Sequence, residues 1–94
     1  MGFQSKIIKE YEDKGYLVLK IIRLNKTGYP DLQCFKKDNP VIWIECKEEN
    51  DTLKPLQKKR IDELNQIGMV AFCIQENRGI IYPSQKILTV KNLK

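Results

Sequence analysis

Histidine is absent from this sequence of 94 residues, and cysteine occurs only three times. Without histidine the chain lacks the most common general acid or base, so acid–base chemistry must use carboxylates, lysine or metal-bound water. The three cysteines lie within apolar stretches, are odd in number and have no C-x-x-C spacing: Cys34, Cys46 and Cys73. We therefore expect reduced, buried thiols, and neither a zinc site nor a Cys-His nucleophile.

Long apolar runs are also absent, since no stretch approaches the ~20 residues that span a bilayer. The first residues turn directly into an amphipathic pattern and do not resemble a signal peptide. No linker, repeat or low-complexity segment divides the chain. These observations predict one domain over residues 1–94 with a modest core, a cytoplasmic location and no membrane contact.

The spacing of apolar and turn residues predicts seven elements in the order α-β-β-β-α-β-β. The first helix ends at Gly15, and the second begins at Pro55 and ends at Gly68. Strands are predicted over residues 16–24, 31–35, 41–47, 69–75 and 80–82. Because a helix joins the third and fourth strands, we expect parallel pairing there. The expected fold class is therefore α/β, a mixed sheet flanked by helices.

Charged residues interrupt the end of a strand that otherwise reads as buried. Glu45 and Lys47 follow the apolar run 41–44 and project on the same side, because side chains alternate along a strand. Asp31 opens the preceding strand, and a polar turn at residues 36–40 can bring it beside Glu45. Two carboxylates placed so could hold Mg²⁺ or Mn²⁺ and a water. The alternative is an ordinary Glu-Lys pair where a strand reaches solvent.

Three motifs in this order resemble the PD-(D/E)XK nuclease superfamily and, within it, the small stand-alone VRR-NUC domains of phages and bacteria. They are Gly28-Tyr29-Pro30-Asp31, Ile44-Glu45-Cys46-Lys47 and Leu53-Lys54-Pro55-Leu56-Gln57, and the resemblance runs from about Gln4 to Gln75. It implies a restriction-endonuclease-like fold with Asp31, Glu45 and the main-chain carbonyl of Cys46 as ligands of Mg²⁺ or Mn²⁺. It also implies that Lys47 is the catalytic lysine.

The resemblance extends to two glutamines and departs from the family at two places. Gln57 matches the glutamine of the third motif, which would orient the water or Lys47, and Gln4 matches a glutamine of the first helix. Lys54 stands where relatives usually carry serine. Many relatives also carry an acidic residue shortly before the first-helix glutamine, and Glu10 and Glu12 do not match it. An additional metal ligand on the first helix therefore has no candidate.

The net charge of +5 indicates a polyanionic partner. Four lysines lie in the loop before the site or on the helix after it, where we expect them to contact DNA phosphates: Lys26, Lys54, Lys58 and Lys59. A solvated surface is the alternative for such charges. The resemblance implies a metal-dependent DNA endonuclease of a bacterial or phage-infected cell. A non-catalytic DNA-binding or replication and repair accessory module on the same scaffold is the alternative.

The size and the end of the chain suggest a substrate and an assembly. A chain this short has no separate domain to read sequence, so we expect cleavage selected by DNA shape. Small relatives resemble Holliday-junction resolvases that act as homodimers, and twofold symmetry suits two nicks in branched DNA. The terminal stretch is more apolar than a solvated tail needs to be: Ile80, Ile81, Tyr82, Ile87, Leu88, Val90 and Leu93. It either packs on its own sheet or joins a twofold partner, and we favour the partner.

Overall fold

The computed structural model describes residues 2–84, which form two helices and five strands. The elements are α1 (Phe3–Asp13), β1 (Leu17–Lys20), β2 (Leu32–Phe35), β3 (Ile42–Lys47), α2 (Pro55–Gln66), β4 (Val70–Gln75) and β5 (Gly79–Tyr82). The predicted order and the α/β class, a mixed sheet flanked by helices, are confirmed. No helix within residues 2–84 is long and apolar enough to cross a membrane.

The five strands lie in the sheet in the same order as in the chain. Strand β3 pairs in parallel with β4, as the crossover through α2 requires, and the other neighbouring pairs are antiparallel. Leu32 of β2 lies opposite Ile44, and Lys47 lies beside Gln75 of β4. The beginning of β2 and the ends of β3 and β4 therefore meet at one edge of the sheet.

Each face of the sheet packs against one helix and forms its own core. Ile7 of α1 lies in a buried cluster with Leu32, Cys34, Ile44 and Phe72. The opposite cluster joins α2 to the sheet through Trp43, Leu53, Ile61, Leu64, Ala71 and Cys73. Because side chains alternate along β3, Glu45 and Lys47 share the α2 face with Trp43. Glu45 and Lys47 thus continue the line of β3 side chains that begins with Trp43 in the core under α2.

The cysteines fit the expectation of buried thiols for two of the three positions. Cys34 and Cys73 are fully buried and Cys46 is partly buried. Burial raises the pKa of the Cys34 thiol to about 11 and that of Cys73 to about 12. Thiols with such pKa values carry almost no thiolate at neutral pH, so these two side chains act as small hydrophobic residues.

The strand predicted over residues 16–24 is wrong beyond Lys20. The amide of Ile21 still donates to the carbonyl of Asp31 at 2.7 Å, but the chain then leaves the sheet and forms a loop to Pro30. This loop packs on α2, where Arg60 Nε donates to the carbonyl of Thr27 at 2.9 Å. This contact joins residues 33 positions apart, so local apolar composition could not reveal the loop.

The apolar terminal stretch is only partly described. Ile80, Ile81 and Tyr82 lie on β5, are partly buried and pack against the two cores of their own sheet. The other four residues of that prediction, Ile87, Leu88, Val90 and Leu93, lie outside the described residues. For the described part, packing on its own sheet is therefore the observed arrangement.

Candidate active site

Asp31 is held at the sheet edge by the segment that precedes it. Pro30 is fully buried, and Gly28 adopts a φ of +88° against α2. A β-carbon at residue 28 would lie 2.7 Å from Leu56 Cγ, so a larger residue would force this segment or the Leu56 side chain to move. The Asp31 carbonyl also accepts a hydrogen bond from the amide of Ile21, so both ends of the segment 28–31 are held in place. Its sequence thus sets where the Asp31 carboxylate lies.

The Asp31 and Glu45 carboxyl groups lie together, as their spacing in the sequence predicted. Asp31 Oδ2 accepts a hydrogen bond from the amide of Cys46 at 3.3 Å, and Glu45 is only 4 % exposed. Burial, together with the charge and the hydrogen bond of Asp31, raises the pKa of Glu45 to about 8. Because each carboxyl group disfavours the charge of the other, a proton between them relieves the repulsion. A divalent cation can replace that proton and compensate both charges.

The donor set of this pair suits a hard cation. Carboxylate oxygens are the ligands that Mg²⁺ and Mn²⁺ prefer. No group of three or more His, Cys, Asp or Glu side chains among residues 2–84 is arranged to hold a metal ion. Mg²⁺ nevertheless commonly uses only one or two carboxylates and completes its shell with water and substrate phosphate. The residues present therefore fit such a site, with the carbonyl of Cys46 as the predicted third ligand.

Lys47 places an ammonium group beside the carboxylate pair. Its Nζ lies 3.9 Å from Glu45 Oε2 and 3.6 Å from Asp51 Oδ2, and the residue is only 5 % exposed. A hydrogen bond from the Thr52 amide lowers the pKa of Asp51, and the charge of Lys47 lowers it further. Glu45 and Asp51 thus both lie beside this ammonium group, and Asp31 lies next to Glu45, so the site carries more acidic than basic groups.

Gln75 is a buried residue of the site that the sequence did not reveal. Its side-chain amide donates to the main-chain carbonyls of Glu48 at 3.1 Å, Glu49 at 3.2 Å and Asp51 at 2.8 Å. Because Gln75 pairs with Lys47 across β3 and β4, these bonds fold the 48–51 segment back over the end of β3. They bring the Asp51 carboxylate to the Lys47 ammonium.

Replacing Gln75 with methionine should therefore loosen this segment. Methionine has a similar volume but no donor, so three main-chain carbonyls lose a partner. We expect a loss of about 2 kcal/mol of unfolding free energy, which lowers the melting temperature by on the order of 10 °C. Thermal denaturation followed by circular dichroism measures this change.

Glu49→Ala is the matched control, because the exposed Glu49 side chain of the same segment only accepts a hydrogen bond from Asn77 Nδ2 at 3.0 Å. This substitution should lower the melting temperature by only a degree or two, since exposed polar contacts contribute little. Equal losses in both variants would show that the buried bonds of Gln75 have no special weight.

The two glutamines of the family resemblance have different surroundings. Gln57 Oε1 accepts a hydrogen bond from the amide of Lys54 at 2.9 Å and so caps the first turn of α2. Gln4 lines a cavity of about 270 Å³ together with Cys46 and Asp51. Neither glutamine bonds Lys47 through its side chain in the described part of the chain, so the role given to Gln57 stays a prediction.

The four lysines expected to bind DNA surround the candidate site unevenly. Lys26 lines a cavity of about 500 Å³ that also contains Asp31. Lys58 lies 5.9 Å above the Tyr82 ring and lines a second cavity of similar size with Asp51 and Gln75. Lys54 and Lys59 are exposed. Positive charge therefore flanks the carboxylates on the side of the 21–30 loop and on that of α2.

Comparison with known proteins agrees with this architecture. The family model of the VRR-NUC domain matches residues 4–75. A solved structure described as "VRR_NUC domain" superimposes with a TM-score of 0.65 at 25 % sequence identity, over 74 % of this chain and 76 % of that one. No curated protein matches the sequence.

Proposed function

Since the chain belongs to the VRR-NUC domain family, a nuclease-related family, we propose that it is a metal-dependent DNA endonuclease of the PD-(D/E)XK type. The observation that supports this proposal best is the shared edge of Asp31, Glu45 and Lys47. The buried Glu45 carboxyl group, beside the partly buried Asp31 and the buried Lys47, costs stability, so function is the simplest reason for this arrangement. The proposed reaction is hydrolysis of a phosphodiester bond in DNA.

Asp31, Glu45 and the main-chain carbonyl of Cys46 would hold Mg²⁺ or Mn²⁺ in this enzyme. When bound, the cation supplies positive charge to a phosphate oxygen and lowers the pKa of a water molecule. Lys47 would donate hydrogen bonds to that water or to the phosphate and offset the charge that develops during attack. Its position between Glu45 and Asp51 limits the motion of a long side chain, which favours this role.

Gln57 would orient the attacking water through its side-chain nitrogen. Its Oε1 is used by the helix cap, and this bond fixes the side chain at the first turn of α2. Lys26, Lys54, Lys58 and Lys59 would contact DNA phosphates on the two sides of the carboxylates. Such contacts carry no sequence information, so binding should weaken as salt rises and should not depend on sequence.

The finer proposal is that the chain, as one domain over residues 1–94, acts as a homodimer on branched DNA such as a Holliday junction. Nuclease action also fits a cytoplasmic location in a bacterial or phage-infected cell. The proposed phosphate contacts carry no sequence information, which supports selection by shape. Twofold symmetry would give two copies of Asp31, Glu45 and Lys47 for two strands.

A cleavage assay tests the proposed activity. The protein is incubated with four-way junctions, flaps, linear duplex and single strands of the same sequences, in Mg²⁺, Mn²⁺ or EDTA. Cleavage should require the metal and be fastest on branched DNA. Equal cleavage of all forms would remove the shape selectivity but keep the nuclease. Tight DNA binding without any cleavage would instead support the non-catalytic DNA-binding or accessory module.

Sedimentation tests the proposed assembly. The free protein at micromolar concentration should sediment with twice the mass of one chain, and a four-way junction should bind one such dimer. Monomer alone, both with and without junction DNA, would contradict the homodimer. The experiment does not depend on cleavage if EDTA is present.

A further inference from the structure

Two large apolar side chains are presented to solvent beside the candidate site. Ile22 is 89 % exposed and Leu24 is 41 % exposed, and both follow the point at which the chain leaves the sheet after β1. We call residues 22–24 the loop tip. Isolated exposed hydrophobic residues are common, but these two flank Arg23 and lie between two points at which the main chain is hydrogen-bonded, Ile21 and Thr27. Their position beside the candidate site, and not their exposure alone, indicates a role in binding.

The loop tip is fixed relative to Asp31. The amide of Ile21 donates to the Asp31 carbonyl at 2.7 Å on one side of the tip. On the other side, Arg60 bonds the carbonyl of Thr27, and its guanidinium lies 4.8 Å from the centre of the Tyr29 ring. Ile22 is therefore held at a set position from the carboxylate that would bind the metal.

A cavity of about 500 Å³ connects the loop tip to the site. Its lining includes Ile22, Arg23, Leu24, Lys26 and Asp31. Neither Arg23 nor Lys26 forms an ion pair with another residue in the described part of the chain. The cavity thus combines an apolar surface with two cations that are available to a ligand, and it opens at the candidate metal ligand.

We infer that the loop tip packs Ile22 and Leu24 against an unstacked nucleobase at the branch point of DNA, while Arg23 and Lys26 contact the neighbouring phosphates. This inference rests on the proposed function and names the feature of the substrate that the site selects. Apolar side chains are known to enter base steps as wedges. Unstacking costs least where the helix is already interrupted, so a wedge favours branched over continuous DNA.

The charges of the cavity favour DNA over a second copy of the chain at this surface. In a twofold interface the same patch faces itself, so Arg23 and Lys26 would approach their own copies. Like charges at an interface are unfavourable. A polyanion with flat apolar bases matches both components of the cavity.

Ile22→Ser tests the inference, with Leu17→Ser as the matched control. Leu17 is 61 % exposed but lies on β1 and does not line the cavity. Binding is measured in EDTA on a four-way junction that carries 2-aminopurine at the branch point, and on linear duplex. Wild type should raise the fluorescence of the probe as its base unstacks. Ile22→Ser should lose most of this rise and bind the junction about tenfold more weakly, with duplex affinity unchanged.

Leu17→Ser should behave as wild type in both measurements. An equal loss of affinity for junction and duplex, or an unchanged fluorescence rise in Ile22→Ser, would overturn the inference. So would a shift of Ile22→Ser from dimer to monomer in sedimentation, because the tip would then be a protein interface. These measurements need no cleavage, so failure of the nuclease proposal shows separately, in the cleavage assay.

Discussion

Asp31→Asn should reduce metal-dependent DNA cleavage by at least about a thousandfold, because a cation contributes several kcal/mol to such reactions and each ~1.4 kcal/mol is a factor of ten. The substitution removes one of the two charges that would hold the ion. Calorimetric titration with Mn²⁺ should show a matching loss of affinity, and single-turnover cleavage measures the loss of rate.

The same substitution should stabilise the metal-free protein. Glu45 is buried and its pKa is raised to about 8 by burial and by Asp31, which shows that the two carboxyl groups disfavour each other's charge. Asparagine keeps an oxygen that can accept the hydrogen bond from the Cys46 amide. A gain of about 1 kcal/mol would raise the melting temperature by about 4–8 °C in EDTA.

Asp13→Asn serves as the control, since Asp13 forms only an exposed pair with Lys9 on α1. It removes the same charge and should change neither cleavage nor melting temperature appreciably. Unchanged Mn²⁺ affinity in Asp31→Asn would contradict the metal site. A lower melting temperature in EDTA would show that Asp31 is a structural residue whose charge the fold requires.

The carboxylate pair could be predicted from the sequence because strand periodicity and one short turn determine it. Alternation puts Glu45 and Lys47 on one face, and the antiparallel pairing of β2 with β3 brings Asp31 to the same end. The parallel pairing of β3 with β4 followed from the helix between them. These are local rules, and each needs only residues close in the chain.

The loop from residue 21 to residue 30 could not be predicted in this way. Ile21, Ile22 and Leu24 continue an apolar pattern that is typical of a strand, and nothing local marks the point at which the chain leaves the sheet. The loop is held by the contact of Arg60 with Thr27 and by the packing of Gly28 on Leu56. Such contacts depend on the position of α2, which the sequence alone does not give.

Gln75 and Asp51 were missed for a related reason. The bonds of Gln75 go to main-chain carbonyls, which every residue possesses, so no pattern of side chains marks them. Asp51 lies in a polar connection where an acidic residue is unremarkable. A polar residue that ends a buried strand beside Lys47 was the available signal, but its meaning depends on the register of β3 with β4.

Lys47→Met should lower the single-turnover cleavage rate by about 10²–10³, the usual effect of removing a group that stabilises transition-state charge. Methionine keeps most of the length of the side chain without its charge. DNA affinity should change by less than about threefold, since only one buried contact is lost.

Lys54→Met is the matched control, because Lys54 is exposed at the start of α2. It should weaken DNA binding whatever the sequence, and it should reduce by about one the slope of log binding constant against log salt concentration. The single-turnover cleavage rate of bound DNA should stay the same. If Lys47→Met shows this second pattern instead, its ammonium contacts a phosphate in the bound state and takes no part in the chemical step.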